Sequence, residues 1–291
     1  MAAAAQQAKA KAGAGTGEFR VTTAPGIDLF ARFERPETPK GTVLVVHGVG
    51  EHSGRYGNLQ KTLVNEGWSW YGFDLRGHGQ STGRRVHIDR WDDYVNDLQR
   101  VYDEVRSHAG EGKVFVYGHS MGALITATWA AFRRPTVWGT VLSAIPLVPT
   151  LEVPKAKVTA AKILSRVVPT LALANEVNPA HLSRDASVGK AYLLDPLVER
   201  KATVRWGAEI LGAIAAMNAR SAELEIPSLI VHGDKDPIAA SVGSTELHKK
   251  AAAKDKTVHL YPGALHEVHN ELDPERKKLF ADVLAWLEAR R

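Results

Sequence analysis

The 291-residue chain contains no cysteine. That removes disulfides, thiolate nucleophiles and thiolate metal sites together, and leaves the redox compartment open, since a Cys-free chain tolerates either. No apolar run reaches the roughly 18–20 residues that cross a bilayer, so an integral membrane protein is not expected. Blocks of one charge are scarce as well. The 37 Lys and Arg are interspersed with 32 Asp and Glu, for a net charge of +5. Nucleic-acid binding would want the basic residues gathered with exposed aromatics on one element, so no nucleic-acid partner is expected. The basic excess fits a soluble surface, with some attraction to anionic membranes as the alternative. Hydrophobic residues at 44% and charged residues at 24% exclude a mainly disordered chain. The length suits one large α/β domain carrying an insertion.

Residues 1–17 are a low-complexity stretch of Ala, Lys and Gly without the bulky apolar core of a signal peptide, and read as a disordered tail. Gly13, Gly15 and Gly17 follow no strand and open no helix, which argues against a dinucleotide fingerprint. From Glu18 onward short apolar runs alternate with helical patterns. Strands are expected at Ile27–Phe33, Thr42–His47, Trp68–Phe73, Val114–Tyr117, Val137–Leu142, Ser228–Val231 and Thr257–Leu260. Several are continuous Val, Leu and Phe runs, as strands buried on both faces of a parallel sheet should be. Stripes of 3.6-residue period mark helices at Tyr94–Val105 and Leu279–Leu287. The alternation implies a doubly wound, mostly parallel sheet. It breaks between Pro146 and Ile226, which carry helical pattern and no clear strand. The expected organisation is therefore a core of 18–145 and 227–291, with 146–226 inserted before the late strands as an α-helical cap over the carboxyl ends of the sheet.

The strongest chemical signal is Gly118-His119-Ser120-Met121-Gly122, which follows one predicted strand and opens the helix Met121–Phe132. A G-x-S-x-G nucleophile elbow needs that context, and needs glycine where larger residues would strike the adjoining strand and helix. Serine is a poor nucleophile without a base. In such folds the partners follow in the order Ser, acid, His. The strand Ser228–Val231 leads into a loop with two carboxylates, Asp234 and Asp236. Asp236 is the favoured acid, and Asp234 reads as a turn residue or counter-ion. The strand Thr257–Leu260 leads to His266, favoured as the base over His269 one turn later. An oxyanion needs two backbone donors: the Met121 N–H, and one from His47-Gly48-Val49-Gly50, where Val49 is the choice.

His47-Gly48-Val49-Gly50-Glu51-His52-Ser53-Gly54-Arg55-Tyr56, Asp74-Leu75-Arg76-Gly77-His78-Gly79-Gln80-Ser81 and the elbow together resemble the monoacylglycerol lipase family of α/β-hydrolases. Asp195-Pro196-Leu197-Val198 and the H-E-V-H-N-E run at 266–271 also look like that family, and the resemblance runs from about residue 18 to the end. It implies an α/β-hydrolase fold and a serine hydrolase that releases one acyl chain from glycerol. It also implies a triad of Ser120, Asp236 and His266 and an oxyanion hole at Val49 and Met121. By analogy Arg55 and His269 lie near the alcohol subsite. Ala123 departs from the family's usual further glycine, which bears on helix packing more than on chemistry.

Blander readings hold for other residues. Arg76 and His78 stabilise a loop. His119 points away from substrate. His266 and His269 are spaced i, i+3 and so lack the i, i+4 geometry of a helical zinc pair, and no metal or cofactor is expected. The rival activities are a lysophospholipase or general carboxylesterase and, in another class, a non-catalytic ligand-binding receptor of the same fold. The second cap stripe (Trp206, Ile210, Leu211, Ile214, Met217) should pack on the sheet domain and wall an acyl tunnel. Pro154–Leu173 combines apolar residues with Lys155, Lys157, Lys162 and Arg166, which suggests transient contact of the cap with a membrane surface. The expected location is cytoplasmic, with peripheral membrane contact.

Overall fold

The computed structural model describes residues 14–110, 112–150, 164–175 and 177–291. The chain opens with an antiparallel pair, β1 (Gly15–Ala24) and β2 (Ile27–Arg35), turned at Gly26. There follow β3 (Thr42–Val46), α1 (Gly57–Asn65), β4 (Ser69–Phe73), α2 (Asp92–Ala109), β5 (Val114–His119), α3 (Met121–Arg133) and β6 (Gly139–Ser143). After the insertion come β9 (Ser228–Gly233), an α-helix at Val242–Lys250, β10 (Lys256–Tyr261) and a C-terminal α-helix at Glu275–Glu288. The sheet order is β1-β2-β4-β3-β5-β6-β9-β10, antiparallel through β1, β2 and β4 and parallel from β4 onward.

The continuous apolar runs have the expected cause. Leu44, Val46, Val116, Leu142 and Ile230 face one core with α2 and α3, while Val43, Val45, Phe115, Val141 and Leu229 face a second with α1 and the C-terminal helix. Alternate side chains of each strand point to opposite faces, and both faces are dry. All seven predicted strands are present, within a residue or two at their ends.

Two expectations need correction. The expected disorder fails at its end, because Gly15, Thr16 and Gly17 belong to β1, and residues 1–13 lie outside the described residues. This edge strand alternates instead of running apolar, with Phe19 and Val21 turned inward between exposed Glu18, Arg20 and Thr22. Gly17 is there for packing: a Cβ would come within 2.7 Å of the Phe33 ring across the pair. The region between β6 and β9 also contains strand. Alongside α4 (Ala186–Leu194) and α5 (Val204–Ala219) it holds a small antiparallel ribbon of β7 (Ala172–Ala174) and β8 (Lys201–Thr203). Three-residue strands are too short to show a period. Of the expected stripe, Trp206, Ile210, Ile214 and Met217 of α5 pack onto the core beside α3, joined by Ala213, while Leu211 is not part of that core.

In chain order the two late helices are α6 (Val242–Lys250) and α7 (Glu275–Glu288).

Candidate active site

The chain turns from β5 into α3 at Ser120, whose φ of 52° and ψ of −121° are a strained conformation for a residue with a Cβ. The surroundings enforce it. A Cβ at Gly118 would lie 2.4 Å from the Gly122 carbonyl oxygen, and one at Gly122 would lie 2.1 Å from the Val46 oxygen of β3. Only glycine lets strand, helix and neighbouring strand approach so closely. Ser120 therefore sits at the carboxyl end of β5 and lines a small cavity.

His266 lines the same cavity, delivered by the loop after β10. Its Nδ1 lies 2.6 Å from Asp236 Oδ2, so Nδ1–H donates to the carboxylate and Nε2 remains to accept a proton. Asp236, in the loop after β9, accepts four hydrogen bonds. The Ile238 and Ala239 amides reach Oδ1 at 2.8 and 3.1 Å, and His266 and His232 reach Oδ2 at 2.6 and 3.0 Å. Burial raises the carboxyl's pKa, but the two histidines outweigh it and hold Asp236 well below the usual carboxylate range. Burial also opposes the imidazolium of His266. The adjacent carboxylate wins there too, and the His266 pKa is raised. Asp234 is exposed and accepts from the Gly263 amide at 2.6 Å, the turn role expected of it.

Val49 lines the cavity in the loop after β3. A Cβ at Gly48 would stand 3.2 Å from that of Ser120, so this loop runs directly beside the serine. Met121 opens α3, where its N–H has no intrahelical acceptor. Its sulfur takes a 3.4 Å contact from the Trp206 indole of α5.

Arg55 and His269 stand behind the cavity wall. The Arg55 guanidinium is clamped by Glu51 (3.0 Å) and Glu267 (2.7 Å), both of which do line the cavity, and lies 5.0 Å from the Tyr192 ring centre. Glu51 also accepts from the Gly48 amide and the Tyr56 hydroxyl. Burial alone would raise its pKa, but Arg55, then His47 and the Tyr56 hydroxyl, bring it down to about 2. His269 is wholly buried and stacked on Tyr56 at 4.8 Å, and neither ring nitrogen has a hydrogen-bond partner among the described residues. It does not reach the wall. His119 does, contrary to its expected outward direction: its ring packs 4.9 Å from that of His266, and Nδ1 lies 3.2 Å from the Ser143 hydroxyl. Arg76 and His78 serve their loop, Arg76 paired bidentately with Asp97 of α2 and His78 bonded to the Arg76 carbonyl.

Sequence reasoning did not single out Glu51, Glu267, Val177, Leu182, Tyr192 or Ile238 as wall residues. Glu51 and Glu267 had a signal, since each lies within a motif quoted above. Val177, Leu182 and Tyr192 come from the insertion and carry none. Among the described residues they, and no residue of α5, supply the insertion's share of the wall. Two motifs far apart in sequence meet beside it: His52 Nε2–H donates to Asp195 Oδ2 at 2.8 Å, and the Glu199 amide donates to the Gly50 carbonyl at 2.7 Å.

A largely parallel sheet, an elbow serine at its centre, and an aspartate and histidine on the next loops define an α/β-hydrolase. The serine aminopeptidase S33 family model matches residues 37–273. The chain is 34% identical over 276 residues to monoglyceride lipase of Mus musculus, covering 93% of this chain and 90% of that protein. It is 34% identical over 255 residues to a monoacylglycerol lipase of Mycolicibacterium smegmatis, covering 87% and 90%. The crystal structure of a Paleococcus ferrophilus monoacylglycerol lipase superposes with a TM-score of 0.82 at 32% identity, over 90% of this chain and 99% of that one. The chain belongs to the monoacylglycerol lipase family of α/β-hydrolases.

Proposed function

We propose that the protein hydrolyses monoacylglycerols to fatty acid and glycerol through an acyl-enzyme on Ser120. The observation that carries this reading is the pairing of a strained elbow serine with an Asp236-oriented His266 in one cavity. Ser120 Oγ attacks the ester carbonyl while His266 Nε2 takes its proton. The Val49 and Met121 amides receive the oxyanion. His266 then protonates the departing glycerol oxygen, and a water deprotonated by the same nitrogen cleaves the acyl-enzyme. Asp236 holds the ring and stabilises its charged form.

The insertion is the cap in this reading. Val177, Leu182, Ile238 and Tyr192 offer the acyl chain an apolar wall, while Glu51 and Glu267 offer hydroxyl acceptors to glycerol. Arg55 acts through those carboxylates, and His269 backs the wall through His119, 4.8 Å away. We further propose transient contact of the cap with membrane surfaces. Among the described residues no helix is long and apolar enough to cross one. Leu164, Val167, Val168, Leu171 and Leu173 are exposed beside exposed Arg166, whereas Lys155, Lys157 and Lys162 lie outside the described residues.

Ser120→Ala should abolish hydrolysis and phosphonate labelling while the fold is retained, leaving only the small residual rate that binding and an oxyanion hole supply. A panel of monoacylglycerols, lysophosphatidylcholine and p-nitrophenyl esters tests the substrate class. Labelling of the alanine variant at the wild-type rate, or preference for the lysophospholipid, would overturn this reading.

A further inference from the structure

His232 is a fully buried histidine in β9 that does not line the cavity and that the mechanism above leaves without a role. Its Nε2 lies 3.0 Å from Asp236 Oδ2 and 3.0 Å from the Ala239 carbonyl oxygen. Both are acceptors, so Nε2 must carry the hydrogen. Nδ1 faces the buried Ser244 hydroxyl of α6 at 2.7 Å.

The choice of oxygen matters. Asp236 Oδ1 is held by two backbone amides, which set the plane of the carboxylate. Oδ2 alone contacts His266, and His232 is the only side chain besides His266 that reaches it among the described residues. We propose that His232 is a positioning residue for the hydrolysis: the hydrogen-bonded chain Ser244–His232–Asp236–His266 fixes Oδ2 against the imidazole and ties it back to β9 and α6. The inference rests on the triad reading above. Without His232 the carboxylate keeps its two backbone bonds on Oδ1 but loses one of the two side-chain contacts that hold Oδ2. Its charge on Oδ2 would also be shared with one donor instead of two.

Side-chain geometry allows a test that separates this role from packing. Glutamine places its amide nitrogen as many bonds from Cβ as histidine places Nε2, so His232→Gln keeps a donor toward Asp236. Asparagine places its amide oxygen where Nδ1 stands, so His232→Asn keeps an acceptor toward Ser244 and cannot reach Asp236. We would measure kcat, KM and thermal midpoint for His232→Gln, His232→Asn, His232→Leu and Asp236→Asn on one monoacylglycerol and one soluble short-chain ester. The expected result is a kcat lowered roughly 10- to 100-fold in His232→Asn and His232→Leu, the range for one lost bond to a charged group. KM should stay near wild type, because His232 does not touch the cavity, and His232→Gln should retain most of kcat. Should His232→Leu fail to fold, the Gln and Asn pair decides. Equal kcat in the Gln and Asn variants, or losses that follow the thermal midpoint, would overturn the inference. A fully active Asp236→Asn would overturn the triad reading and this one with it. An inactive Asp236→Asn beside a fully active His232→Asn would overturn this one alone.

Discussion

At the scale of single residues, the chemistry turns on which nitrogen and which oxygen are engaged. With Nδ1 bound to Asp236, His266 offers only Nε2 as a base, and only while neutral. Its raised pKa, set by the carboxylate against the opposing effect of burial, places the acid limb of kcat/KM above the ordinary imidazole value. Activity should fall as pH drops through that limb. On the proposed mechanism Asp236→Asn removes the charge that raises the pKa, so the limb of its residual activity moves to lower pH, with kcat down by about 10⁴. Asp234→Asn should leave both quantities near wild type, because its carboxylate serves only the Gly263 turn. Complete pH profiles of the three proteins check this. A limb unmoved in Asp236→Asn would mean that His266 is not titrating under that carboxylate.

Among the elements, the same substitution is expected to change sign with its surroundings. Glycine inside a helix costs about 0.5–1 kcal/mol relative to alanine. In α5 a Cβ at Gly207 or Gly212 meets no atom within 4 Å. Gly207→Ala and Gly212→Ala should therefore stabilise the protein by about that amount. Gly122 is also helical, in the first turn of α3, yet its Cβ would overlap the Val46 and His47 carbonyl oxygens. Gly122→Ala must push α3 away from β3, and overpacking of this kind costs about 1–3 kcal/mol. Activity should fall further than stability, because the displaced pieces carry Ser120, Met121 and Val49. Thermal unfolding with parallel kcat measurements tests all three variants. Stabilisation by Gly122→Ala would refute the close approach.

For the molecule as a whole, the question is how a catalyst with no membrane-crossing helix among its described residues meets a substrate that partitions into membranes. Val167 is 72% exposed and Leu173 53% exposed, and each leucine or valine taken out of water contributes about 1.5–3 kcal/mol. A nearby basic residue adds roughly 1 kcal/mol at an anionic surface before screening. On the proposed reading these terms would give reversible attachment through the insertion. Binding to anionic vesicles should weaken in part as salt rises and should fall in Val167→Glu combined with Leu173→Glu. Hydrolysis of a soluble short-chain ester should be unchanged, since neither residue lines the cavity. Sedimentation with vesicles at low and high salt measures the first, and a p-nitrophenyl ester assay the second. No binding by the wild type at low salt would assign these side chains to another use.

The sequence alone determined the features whose causes are local. Seven strands, the strand–serine–helix elbow with its two glycines, and the order of acid and histidine loops all follow from periodicity and turn chemistry within about ten residues. Where a signal was weak or remote the chain itself misled. β1 hid in a glycine-rich start because an edge strand alternates, and β7 and β8 are too short to show a period. Tertiary structure alone decided what stands next to what. The bonds between Asp236 and His266, His52 and Asp195, and Arg55 and Glu267 join residues 30, 143 and 212 positions apart. Strand order and register, together with the return of the insertion over the sheet, bring those partners together. The same long-range packing turned His119 toward the cavity and set His269 behind the wall, whereas His232 meets the Asp236 carboxylate across only four positions of chain. The placements of His119 and His269 have no local cause, because each depends on elements that meet only after the sheet has closed its register.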